Sequence, residues 1–274
     1  MTDVMDQQPK QPKKKSDLLV RCLSSILLGP PVLAAVYYGS PYSDVLIFLC
    51  AIILAWEWAT ICGEGSLGLP GKLLILSIAI VMGMGAAGYF FIALWGIAAL
   101  AVTLWFLIRI LLKQVKDTNW YLLGFIYVSI SSLALLWLRN NHEDGLNIIF
   151  WILFVVWATD IGAYFSGRNF GGPKIAPKIS PKKTWSGLVG GMMSAAVISY
   201  VFAQWMVNVS PFVLATTGAL LAVVSQAGDF FESHLKRKFD VKDSSKLIPG
   251  HGGLLDRVDG LLACAIVVAG FYIV

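Results

Sequence analysis

Between Ser225 and Asp259 the chain carries six of its sixteen acids and six of its twenty-one lysines and arginines, within a sequence that is otherwise overwhelmingly apolar. Asp229 closes one apolar run, and Asp256 and Asp259 open the next. Asp256 and Asp259, three residues apart, share one face of a helix. Between the runs lie Ser233, Lys236, Arg237 and Lys242, then Pro249-Gly250-His251-Gly252-Gly253, a turn where backbone can approach a ligand closely. A Mg²⁺ ion on phosphates needs only one or two carboxylates, because water and phosphate oxygens complete its shell. Two or three acids surrounded by cations meet that need. The plainer alternative is that these acids pair with neighbouring lysines and arginines. His234 and His251 lack metal-type partners, and His251 fits a polar contact beside a phosphate better than a metal bond.

A second stretch, Gly167 to Trp185, joins Arg168, Lys174, Lys178, Lys182 and Lys183 to paired glycines and three prolines. A basic loop that only sets membrane orientation would explain the charge. It would not explain Ser180 and Thr184 beside the cations, or the proline-stiffened turns. Hydroxyls and backbone N–H groups that donate, with cations that neutralise, suit an anion. Asp160 lies just before this loop, at a helix end. Together the two stretches call for a hard divalent cation and several phosphate-neutralising cations. The chemistry they imply is phosphoryl or nucleotidyl transfer.

The elements that must position these residues are membrane helices. The chain has 274 residues, 57% apolar and only 14% charged, where soluble domains carry about 25% charged residues. Apolar runs fall at Leu18–Tyr38, Val45–Cys62, Trp120–Leu138, Leu146–Phe165, Gly187–Val207 and Pro211–Phe230, with a last one from Leu254 to the end. Residues 73–112 are apolar throughout, twice the ~20 residues needed to cross, and divide near Phe91. The expected fold is an all-α polytopic integral membrane protein with about nine transmembrane helices and a polar cavity facing the cytoplasm. Residues 1–17 form a basic tail, 18–112 a helical scaffold and 113–274 the catalytic region. The first run is too long for a signal-peptide core and is read as a retained helix.

With the N-terminus in the cytoplasm and nine alternating spans, every one of the 21 cations except Arg139 falls on the inside. The expected location is the cell (inner or plasma) membrane. Glu57, Asp160, Asp229, Asp256 and Asp259 then all lie near cytoplasmic helix ends. Intramembrane acids are costly and usually functional, so several at one depth imply a shared polar cavity. Cys22, Cys50, Cys62 and Cys264 are scattered, so neither a disulfide framework nor a zinc site is expected. Nucleic acid is not an expected partner, because the cations sit between spans. Gly83-Met-Gly85-Ala-Ala-Gly88 imitates a dinucleotide fingerprint but lies inside a span with no strand before it, so close helix packing is the better reading. Gly187 and Gly191 are read the same way.

The pattern Ser233-x-x-Lys236-Arg237-x4-Lys242-Asp243-x5-Pro249-x-His251-Gly252-Gly253-x-x-Asp256-Arg257-x-Asp259 resembles the signature of the CTP:phosphatidate cytidylyltransferases, or CDP-diacylglycerol synthases. Asp160 and Ser180-Pro181-Lys182-Lys183-Thr184-Trp185 resemble the same family, which covers about Trp157 to Asp259 strongly and the first hundred residues weakly. Ser186 departs from it, standing where members often carry Glu or Gln, and receives no role. The resemblance implies CTP and phosphatidate as substrates, membrane lipid as surroundings, Mg²⁺ with a second cation as cofactors, and admits a homodimer. It implies that Asp229 and Asp256 hold the metal with Asp259 in support. Lys236, Arg237, Lys242 and Arg257 would neutralise phosphates. Gly252 and Gly253 would let backbone amides approach, with Ser233 and His251 nearby. Ser180, Lys182, Lys183 and Thr184 would meet the lipid phosphate or the diphosphate, with Asp160 also among the substrate-binding residues. A CTP-dependent lipid-alcohol kinase and an ion-coupled transporter are the competing readings; the absence of any visible internal repeat weighs against the transporter.

Overall fold

The computed structural model describes residues 15–111, 117–206 and 209–273. Nine α-helices appear among them: α1 Lys15–Tyr38, α2 Tyr42–Cys62, α3 Gly68–Ala86, α4 Phe90–Phe106, α5 Thr118–Asn140, α6 Gly145–Phe170, α7 Trp185–Phe202, α8 Pro211–Lys238 and α9 Leu255–Ile273. A π turn extends α4 and a 3-10 turn extends α7. The division of the long apolar stretch falls at Gly88, whose φ of 87° turns the chain between α3 and α4. Residues 1–14 of the expected tail lie outside the described residues.

Seven of these helices are long and apolar enough to cross a membrane: α2 to α8, with α4 counted through Ile110. The expected nine are therefore met as helices but not all as apolar spans. In α1 the apolar part is shorter, Ile26–Tyr38. In α9 Asp256, Arg257 and Asp259 crowd the first turns. The outward faces carry Trp95, Phe91, Val102, Met193 and Phe212, all exposed, as a protein solvated by lipid tails requires.

One departure from an all-helical chain is the basic loop. Lys174–Ala176 (β1) and Ser180–Thr184 (β2) form a short antiparallel hairpin pairing Lys174 with Thr184 and Ala176 with Ser180. The hairpin feeds straight into α7, whose N-cap is Thr184: its hydroxyl accepts the Gly187 amide at 3.1 Å. The loop's glycines and prolines masked a pattern only five residues long.

Two apolar clusters meet along α5. One gathers α2 to α5 around the fully buried Trp58, whose indole N–H donates to the Trp120 carbonyl at 2.8 Å. The other gathers α5 to α9 around Trp151, Ile152, Leu221 and Cys264. In lipid such helices associate by close packing rather than by water exclusion. Gly187 and Gly191 serve this purpose: a Cβ on either would sit 3.0 Å from an α6 carbonyl oxygen, of Ala163 and of Thr159 respectively. Gly85 likewise packs on Leu133 of α5, which bears out a packing role for that glycine.

Candidate active site

α8 and α9 approach closely at Gly228, where a Cβ would lie 2.6 Å from the Asp259 carbonyl oxygen. Only glycine allows that approach, and it brings the next residue, Asp229, against Asp259. Glu232 lies one turn further along α8, on the same face as Asp229. The carboxylates of Asp229, Glu232 and Asp259 place ligand atoms within 4.8 Å of one another. Glu232 is 3% exposed, and its Oε1 has no hydrogen-bond partner. A buried acceptor without a donor is costly, so the trio has the character of a site for a hard cation.

Two lysines offset this charge. Lys183 arrives from β2 and meets Asp229 Oδ2 at 2.5 Å. It does so as a charge pair, since no acceptor lies in hydrogen-bond geometry with its Nζ, and it also stands 4.6 Å from the centre of the Phe230 ring. Lys236 bridges Glu232 Oε2 at 2.6 Å and Asp256 Oδ1 at 2.7 Å. Ser233 donates to Asp229 Oδ1 at 3.3 Å. Asp160 stands ten residues inside α6 rather than at its end as expected, because α6 continues to Phe170; it is within electrostatic reach of Asp229, Lys183 and Arg257. Of the acids expected at one depth, Asp229 and Asp259 come together, and the hairpin lysine joins them.

Asp256 occupies a different setting from its expected partner Asp229. Its Oδ2 accepts from the Gly253 amide at 2.8 Å, the Ser244 amide at 3.0 Å and the Ser244 hydroxyl at 3.1 Å, while Oδ1 takes Lys236. It organises the glycine-rich loop instead of standing open. Asp229 is grouped with Asp259 and Glu232. Sequence reasoning passed over Glu232, although its spacing of three from Asp229 on one helix was available as a signal.

The loop glycines shape the turn. Gly252 has φ 90°, and a Cβ there would stand 2.6 Å from Asp256 Oδ2. The amides of Gly252 and Gly253, expected to face a phosphate, are engaged inside the loop, with the Ile248 carbonyl and with Asp256. His251 Nδ1 meets the Ser24 hydroxyl of α1 at 2.8 Å. Arg257 donates to the His251 carbonyl at 3.1 Å. Thr184 is buried as the α7 cap, and Ser186 bonds both Thr184 and the Gly171 carbonyl. Ser180 is half-buried in β2, and Lys182, Arg237 and Lys242 are exposed beside the cluster's elements.

A pocket of about 420 Å³ lies elsewhere, lined by Tyr38, Asp44, Arg139, Asn140 and His142. Asp44 is thirteen positions from Glu57 on α2, about 20 Å along the axis. That pocket therefore belongs to the end of the bundle away from the acids, and is not the expected cavity.

Residues 19–274 match the model of the cytidylyltransferase family. The chain is 34% identical over 255 residues to a phosphatidate cytidylyltransferase of Brucella suis, covering 91% of each chain. It is 32% identical to the protein of that name from Haemophilus influenzae, covering 92% of this chain and 97% of the relative. With the Bacillus subtilis protein of the same name the figures are 33%, 90% and 94%.

Proposed function

The chain belongs to the cytidylyltransferase family, and from that premise we infer that it moves the cytidylyl group of CTP onto phosphatidate, releasing diphosphate and leaving CDP-diacylglycerol in the membrane. It is a CTP-dependent nucleotidyltransferase of phospholipid biosynthesis and a multi-pass membrane protein. The observation that carries the site assignment is the meeting of Asp229, Glu232 and Asp259 with Lys183 of the hairpin and Lys236 of α8.

A phosphate monoester has its second pKa near 6, so phosphatidate reaches the site already largely as the dianion, and no strong base is required. Its phosphate oxygen forms a bond to the α-phosphorus of CTP. The bond from that phosphorus to the bridging oxygen breaks, and its electron pair leaves with diphosphate. The obstacle is repulsion between two anions, so positioning and neutralisation dominate. Lys182, Arg237 and Lys242, exposed, would meet phosphates arriving from the aqueous side, with Arg257 at the mouth of the glycine-rich loop. Lys183 and Ser180 would hold the lipid phosphate, with Asp160 beside them. Phosphatidate enters from the bilayer between helices.

The donor set fits Mg²⁺: three clustered carboxylates, one with an unpartnered buried oxygen. Asp229, Asp259 and Glu232 would hold it. Asp256 would join only by exchanging Lys236. When bound, Mg²⁺ supplies charge neutralisation on the nucleotide phosphates, and a second cation beside it belongs to the same proposal.

We place nine crossings, with α1 and α9 added to the seven apolar spans, the N-terminus in the cytoplasm and the polar cavity opening there. Nineteen residues of α9 reach about 28 Å, close to the ~30 Å core of a bilayer. The test of function uses purified protein in lipid nanodiscs with CTP, Mg²⁺ and phosphatidate. Equal amounts of diphosphate and CDP-diacylglycerol are expected. Release of CDP instead would mean a kinase, and no turnover of CTP would refute the nucleotidyltransferase reading.

A further inference from the structure

Glu57 is fully buried on α2, at 0% exposure, and among the described residues it forms no ion pair. Its charge is met by four neutral donors. Oε1 accepts from the Ser245 hydroxyl at 2.6 Å and the Leu254 amide at 2.8 Å. Oε2 accepts from the Leu255 amide at 2.7 Å and the Ser244 hydroxyl at 3.2 Å. The first N–H groups of a helix have no partner within it, and the positive end of the helix dipole favours an anion there. Leu254 precedes α9 and accepts from the amides of Arg257 and Val258, which makes it the N-cap. A leucine has no side-chain oxygen to cap with. Glu57, nearly two hundred positions earlier in the chain, supplies the cap from another helix.

The same contacts connect to the site. Ser244 lies between Glu57 and Asp256: its amide donates to Asp256, and its one hydroxyl proton is shared between the two carboxylates. Asp256 holds Lys236, and Lys236 holds Glu232 of the carboxylate trio. A side chain at Gly253 would collide with Ser244 and with Glu57, so the loop is drawn tightly onto this carboxylate.

We propose that Glu57 is a positioning residue, fixing the loop 244–254 and the start of α9 from α2 and thereby setting where Asp256 and Lys236 stand. Turnover is one of its readouts, so the proposal rests in that respect on the reaction assigned above. Glu57→Gln keeps the shape but replaces one acceptor oxygen by a donor, facing two donors that must then lose their partner. Displacement of a site by about 1 Å can cost on the order of 10²-fold in rate, and a loss of that order in kcat is expected. Leu54→Ala is the comparison: Leu54 is a buried α2 residue, 1% exposed, one turn before Glu57 in the apolar core, and it has no polar atom with which to hold the loop. It should lower Tm and leave kcat per folded molecule unchanged.

Hydrogen–deuterium exchange provides a second readout that needs no activity. Full-length Glu57→Gln protein should exchange faster at the amides of 244–255, with α5 unaffected. Should that variant fail to accumulate, Ser245→Ala removes the hydroxyl that donates to Glu57 and accepts from the Leu247 amide, and should raise exchange at Leu254 and Leu255, beyond Leu247 itself, and lower kcat several-fold. Wild-type turnover with unchanged kcat and exchange in these variants overturns the proposal. So does a loss in Glu57→Gln that Leu54→Ala reproduces at matched Tm. If the wild-type protein makes no diphosphate, the assigned reaction fails, while the exchange measurement still decides whether Glu57 holds the loop.

Discussion

Replacing Lys236 by methionine should destabilise the protein through the acids it abandons. The ammonium lies 2.6 Å from Glu232 and 2.7 Å from Asp256, with side-chain exposures of 14% for the lysine and 4% and 6% for its partners. Methionine fills much the same space without the charge. The two carboxylates then face each other at no more than about 5 Å, where like charges repel by about 3 kcal/mol at an effective dielectric constant of about 20. Leaving a buried charge uncompensated costs about 3–5 kcal/mol, which agrees with that figure. At about 2–4 °C per kcal/mol for a chain of this general size, Lys236→Met should lower Tm by about 10 °C. The measurement is thermal unfolding in detergent at a fixed scan rate, with wild type alongside. Adding Glu232→Gln to Lys236→Met removes one of the abandoned charges and should recover roughly half of the loss. A purely catalytic lysine predicts otherwise: turnover falls while Tm stays within about 2 °C of wild type. That result, or a double variant no more stable than Lys236→Met, would refute the reasoning.

Asp229→Asn keeps the shape of the side chain and removes charge from the carboxylate trio. Turnover should fall on the order of 10²-fold and the Mg²⁺ requirement should rise; an unchanged Mg²⁺ titration would remove Asp229 from the metal. A reporter fused after Val274 should behave as exported, because nine crossings put the two termini on opposite sides of the membrane. Cytoplasmic reporter activity would sink that topology.

The membrane class and most helix positions were legible in the sequence, because apolar length is a local property and a helix satisfies its own backbone in lipid. The division near Phe91, the apolar run opened at Pro211 and the packing role of Gly187 and Gly191 could all be read from the chain itself. So could the polar segment that holds the site, since charges are rare elsewhere. The partners of each charge were decided only by the tertiary structure. Asp229 and Asp256 had the same residue type and both bordered apolar runs, but α8 continues nine residues past Asp229, to Lys238, and Gly228 seats Asp229 against Asp259, while Asp256 is drawn into the loop by Lys236, Ser244 and Gly253. The hairpin that delivers Lys183 was hidden by its prolines. Glu57 could be recognised as an intramembrane acid, but its partners lie nearly two hundred residues away. Spacing along a helix fixes which residues share a face. Which faces meet depends on how closely whole helices can approach, and here small residues at a few contact points set that distance.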